Sequence, residues 1–134
     1  LEIVGEDGAV VRHWRSGELR GSQLSGQQLP HPSFFVRRSL LERIEIPFDP
    51  RYRISADFKQ QLLLINNLGA KTFYLPRTLV RMRHGGASSR SIGAIVTGWR
   101  ECMRATKEVS GRNGLTFVVR KVLRKFPHLH VFGN

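Results

Sequence analysis

Three groups of residues in this sequence have the types and spacing that chemistry asks for. Asp57 comes just after Ser55 at a helix start, where free backbone N–H groups and the helix dipole keep a carboxylate ionised. Such an acid either complements the dipole or acts as a general base that takes a proton from an attacking hydroxyl. Arg83-His84-Gly85-Gly86-Ala87-Ser88 joins a strand to a helix. Successive glycine N–H groups, an Arg and a helix N-terminus together make a cradle for a diphosphate; a flexible turn with a serine cap is the plainer account. His31 stands between Pro30 and Pro32, whose rings stiffen the backbone that presents its imidazole. His128 and His130 have no nearby carboxylate or cysteine, so they are read as surface histidines and no metal site is assigned. Trp14 and Trp99 are packing residues or platforms for a sugar ring.

The elements that must hold these groups follow from periodicity and punctuation. Residues 1–15 read as a hairpin turning at Glu6-Asp7-Gly8. Short strands are expected at 33–36, 72–75 and 78–83, with a helical turn at 37–43 and a Pro47-Phe48-Asp49-Pro50 turn. Ser55 is expected to cap a helix reaching Leu68, with Phe58, Leu62 and Ile65 on one stripe and Gly69 as its stop. Ser88 or Ser89 is expected to cap a long helix to about Ser110. Gly111 to Gly114 breaks it before a second helix at 115–126. Leu115, Val118, Val119, Val122, Leu123 and Phe126 are expected to share one face of that helix, with Arg120, Lys121, Arg124 and Lys125 on the other.

Composition bounds the answer. The chain has 134 residues, 40% of them hydrophobic and 24% charged, enough for one domain with a core. Its 22 Lys and Arg outnumber 10 Asp and Glu, a formal charge of +12, and only Glu101 and Glu108 are acidic after Asp57. Anionic partners are favoured: nucleotide diphosphates, nucleic acid or anionic lipid. The basic amphipathic helix 115–126 suits an anionic membrane surface as well as it suits plain packing. No stretch approaches the roughly 20 apolar residues of a membrane span. Cys102 is the only cysteine, which excludes an internal disulfide and points to a reducing, cytoplasmic setting. Signatures of serine hydrolases, zincins and P-loop enzymes are absent.

Read in order, Pro30-His31-Pro32-Ser33-Phe34-Phe35-Val36-Arg37-Arg38-Ser39-Leu40, Phe48-Asp49, Tyr52-Arg53-Ile54-Ser55-Ala56-Asp57-Phe58 and Val80-Arg81-Met82-Arg83-His84-Gly85-Gly86-Ala87-Ser88 resemble the second half of family-2 glycosyltransferases of the GT-A fold. The likeness is closest to bacterial enzymes that build exopolysaccharide, O-antigen or colanic-acid-type chains. It implies a mixed α/β fold and inverting transfer of a sugar from a nucleotide diphosphate to an acceptor hydroxyl, lipid-linked or saccharide. It implies that Asp57 is the base, that Arg83, Gly85, Gly86 and Ser88 lie near the donor diphosphate or the lip of the active site with His84 among the substrate-binding residues, and that His31 lines the site. It further implies a divalent cation, Mg or Mn, held by an Asp-X-Asp motif. That motif is not here: the aspartates are Asp7, Asp49 and Asp57. The second acid that many relatives carry two residues after the base is Lys59. The expectation is therefore the acceptor-side part of a catalytic domain at 1–92 with a helical extension at 93–134, cytoplasmic or peripheral at the inner membrane and inactive without a donor-binding half. Leu1, where a Met would start a gene product, agrees with a piece of something longer. The competing class is a small basic nucleic-acid-binding module, against which stand the missing helix-turn-helix pattern, zinc site and aromatic-studded basic strand.

Overall fold

The computed structural model describes residues 1–19, 23–24, 26–27, 29–85 and 91–123. The fold is mixed α/β: a small sheet at one side and a packed group of helices at the other. Strand β1 (Glu2–Val4) and strand β2 (Val10–His13) form the expected hairpin, with Gly8 at a φ of 79° in its turn and a register irregularity at Ile3/Val4. Strand β3 (Arg81–Arg83) pairs parallel to β1 on the other edge, so the order is β2-β1-β3.

The strands expected at 33–36 and 72–75 do not form. A strand needs a neighbour for its main-chain groups, and none is supplied among the described residues. His31–Ser33 is instead a short 3-10 turn, and Phe35 and Phe73 project into solvent at 77% and 89% exposure. The strand expected at 78–83 shortens to the part that meets β1.

Helix α1 (Arg38–Leu41) is a single turn. Helix α2 (Ala56–Leu62) runs on as a π-helical stretch, Leu63–Asn67, until Gly69 at a φ of 62° ends it. The wider π turn lets the adjacent Leu64 and Ile65 both reach the interior, alongside Phe58 and Leu62. Ser55 precedes the helix as expected but does not cap it. Its hydroxyl donates to the Gly98 carbonyl at 3.3 Å. The Glu101 carboxylate instead ties down the segment leading into the helix, accepting the backbone N–H groups of Arg53, Ile54 and Ser55 at 2.8–2.9 Å.

Helix α3 (Ile92–Ser110) is capped by Ser91, whose hydroxyl accepts the Ala94 N–H at 3.1 Å; Ser88 and Ser89, the expected caps, lie outside the described residues. Gly93 and Gly98 do not interrupt it, and Gly111 at a φ of 63° stops it. Helix α4 (Gly114–Leu123) is rotated from the expected orientation. Gly114, Phe117 and Val118 face inward, while Leu115, Val119 and Leu123 face out; Phe126 lies outside the described residues. Two contacts set that rotation. Phe117 packs on Phe58 with ring centroids 4.7 Å apart, and Gly114 brings the helix start against the Met103 main chain, where a side chain has no room.

Gly114→Ala is expected to cost about 2 kcal/mol in urea unfolding, because the colliding atoms are backbone. Gly98→Ala meets the Ile54 methyl at 3.4 Å and is expected to be neutral or to gain up to about 1 kcal/mol from helix propensity. Glu101→Ala leaves three N–H groups without their acceptor and is expected to lose about 3 kcal/mol in the same measurement.

Candidate active site around Asp57

Helix α2 presents three faces, each tied to something different. Asp57 and Gln61, one turn apart, share the face toward residues 29–31. The buried Gln61 amide donates to the Leu29 carbonyl at 3.1 Å, fixing the segment that leads into Pro30. From there the 3-10 turn, tightened by the Phe34 N–H on the His31 carbonyl at 3.0 Å, carries the imidazole back toward the helix. His31 Nδ1 stands 3.1 Å from Asp57 Oδ2. Oδ1 of the same carboxylate accepts the Phe58 N–H at 2.8 Å. The Asp57 side chain is 21% exposed and that of His31 59% exposed, so the pair is reachable from solvent.

Lys59 takes the opposite face. Its Nζ lies 2.7 Å from Asp49 Oδ2 and 2.8 Å from Glu108 Oε2, and 4.8 Å above the Tyr52 ring. Arg51 grips Asp49 from the other side at 2.7 Å, and Arg104 stacks on Tyr52 at 4.1 Å. Hydrogen bonds from Arg51 and then Lys59 hold the Asp49 carboxyl well below the ordinary carboxylate range. The Lys59 hydrogen bond does the same for Glu108 against the opposing effect of burial. Burial pulls the Lys59 ammonium down, but its bonds to Asp49 and Glu108 outweigh this and raise it. Lys59 is thus a structural cation that points away from Asp57 and locks α2 to α3 and to the Asp49 turn.

Of the residues singled out from sequence, the structure brings Asp57 and His31 together. Arg83, His84 and Gly85 sit at the end of β3, where the His84 N–H donates to the Val4 carbonyl at 2.9 Å and Gly85 has a φ of 111°, which only glycine adopts easily. Among the described residues no hydrogen bond or ion pair joins them to Asp57 or His31; Gly86 and Ser88 lie outside the described residues. Sequence reasoning missed Gln61, Glu101 and Asp49. Gln61 carried a signal, a polar residue four positions after Asp57 on the same face; Glu101 and Asp49 carried none that local pattern reveals.

A separate groove of about 960 Å³ opens between residues 13–19, the 33–43 segment and residues 64–79. Its walls include Trp14, Phe34, Phe35, Phe73 and Leu79, with Arg15, Arg37, Arg43, Lys71 and Arg77 but no carboxylate. Neither Asp57 nor His31 lines it.

The chain matches no family model, no curated protein and no solved structure. A divalent cation finds no donor set here: among the described residues no three His, Cys, Asp or Glu side chains gather. Asp57 and His31 face each other alone, which does not fit a Mg or Mn site. No helix among the described residues is long and apolar enough to cross a membrane.

The Asp49 network makes stability depend on acid. Asp49 and Glu108 bind protons less readily folded than unfolded, so the stability they contribute is fully present above the ordinary carboxylate pKa of about 4 and is lost as pH falls through the lower folded values. Thermal midpoints measured from neutral pH downward are expected to hold until about pH 4 and then drop. Asp49→Asn is expected to lower the neutral-pH midpoint and to flatten the acid limb.

Proposed function

We propose that this chain is the acceptor-side portion of an inverting GT-A glycosyltransferase of bacterial surface polysaccharide synthesis, with residues 1–92 in the catalytic domain and 93–134 as its helical extension. The observation that supports this best is the Asp57–His31 pair. A helix-start carboxylate with one oxygen held by a backbone N–H and the other facing an imidazole nitrogen is oriented and open to solvent. In the proposed reaction the acceptor hydroxyl gives its proton to the Asp57 carboxylate as its oxygen bonds to the anomeric carbon. The bond from that carbon to the nucleoside diphosphate breaks, and the diphosphate leaves with the electron pair. His31 orients the carboxylate, while Arg83, His84 and Gly85 are assigned to the diphosphate side.

The unpaired segments add support. Residues 33–36 and 72–75 carry strand-like sequence and expose Phe35 and Phe73 beside the groove, as expected of sheet edges that a donor-binding half completes. The cation for the leaving diphosphate belongs, in this reading, to that half.

The same groove favours a second reading, a small nucleic-acid-binding module. Exposed Phe35 and Phe73 among Arg37, Lys71 and Arg77 are the aromatic and cationic parts on which single strands stack. Gel-shift titration at two salt concentrations separates the two: tight, salt-dependent binding of single strands favours the module, and its absence removes it.

The transferase reading is tested in the polypeptide that joins this chain to its upstream-encoded sequence, assayed with nucleotide sugars and lipid-linked or saccharide acceptors. Asp57→Asn is expected to lower kcat by about 10²–10⁴ with nucleotide-sugar affinity unchanged, and residues 1–134 alone are expected to give no product. Wild-type turnover in Asp57→Asn, appreciable turnover by 1–134 alone, or an upstream sequence without an Asp-X-Asp-bearing nucleotide unit overturns it.

A further inference from the structure

The rotation of α4 leaves Leu115, Val119 and Leu123 on its outer face at 55%, 47% and 58% exposure, one turn apart along the helix. The neighbouring α3 shows Ile92, Ile95, Val96 and Trp99 in the same way, at helical spacing on a face the core does not cover. Exposed stripes of this length on two packed helices call for a partner.

Charge identifies it. From 92 to 123 the only acids are Glu101, which is buried, and Glu108, whose side chain is 35% exposed but tied up in ion pairs. Glu101 is bound to the N–H groups before α2, and Glu108 to Lys59 and Tyr52. Arg100 and Lys107 on α3 and Arg112 in the turn before α4 remain exposed. Apolar stripes on the outer faces, exposed cations on the same helical pair and no carboxylate left without a cation or backbone donor match a bilayer whose headgroups are anionic and whose interior takes the stripes. Trp99 has the amphipathic ring that settles at such a boundary.

We propose that α3 and α4 dock this chain onto an anionic membrane surface, with Leu115, Val119 and Leu123 inserted at the headgroup boundary. Phe117, on the opposite side of α4, packs on Phe58, the residue after Asp57, so docking holds α2 at a set position relative to the lipid surface. Lys121 is not a lipid contact: its Nζ turns inward to Cys102 Sγ at 3.6 Å.

The test needs no turnover and stands apart from the transferase reading. Purified 1–134 is co-sedimented with vesicles of phosphatidylcholine containing one-third phosphatidylglycerol and with phosphatidylcholine alone. The chain is expected to pellet with the anionic vesicles only. The combined variant Leu115→Gln, Val119→Gln, Leu123→Gln alters solvent-facing positions, keeps its circular dichroism, and is expected to bind at least about tenfold more weakly. Lys107→Glu with Arg112→Glu is expected to abolish the preference for anionic lipid. Three outcomes overturn the proposal: wild type that stays in the supernatant, a glutamine variant that binds like wild type, or a wild-type dimer in size-exclusion chromatography that the glutamine variant turns to monomer, which assigns the stripe to a second copy.

Discussion

The Glu101 carboxylate is the interaction on which the arrangement depends. Two oxygens on α3 accept three consecutive N–H groups, those of Arg53, Ile54 and Ser55, immediately before α2 begins. Charged hydrogen bonds of this kind are worth about 1.5–3 kcal/mol each, more than any single apolar contact in a core this small. They also fix direction, since three donors in a row leave the chain one way to enter the helix. Asp57 follows by two residues and inherits that direction.

Around this anchor the sequence was legible where periodicity and punctuation carry the information. The hairpin at the start, α2 with its Phe58, Leu62 and Ile65 stripe and its Gly69 stop, and the long α3 ending before Gly111 all follow from local rules. Asp57 at a helix start was legible for the same reason. The strands at 33–36 and 72–75 were not, because β-propensity states what a segment tolerates and says nothing of whether a partner is present. The rotation of α4 was misread because Val118, Val119 and Val122 satisfy two overlapping apolar stripes. What chose between them was one residue without a side chain, Gly114, which no hydrophobic pattern registers, and one ring, Phe117, which lies off the stripe begun at Leu115.

The candidate site was half legible for a related reason. Asp57 and His31 each carried a local signal, a helix-start acid and a histidine between prolines. Their meeting at 3.1 Å did not, since it depends on Gln61 holding the Leu29 carbonyl and on α2 being held from behind. Lys59 is the clearest case. In sequence it reads as the loss of an acid beside the base. In the structure it is the cation that joins Asp49 and Glu108, and so belongs to the scaffold that holds the base in place.

The placement of acids also shapes the surface. Asp49, Glu101 and Glu108, half-exposed at most, are consumed by internal cations and backbone donors; Glu2 is likewise bound by Arg81 at 2.8 Å. A carboxylate bonded inward contributes little negative potential to the face behind it, because its field is cancelled by the partner it was folded against. The +12 of the sequence is therefore unevenly expressed. It is weak on the inner side of α3, where acids and cations alternate, and strong along the groove walls and the outer faces of α3 and α4, where cations stand without carboxylates. Around α2 and α3, acids spent as ties, Asp49, Glu101 and Glu108, give both a rigid mount for Asp57 and outer helix faces where cations predominate.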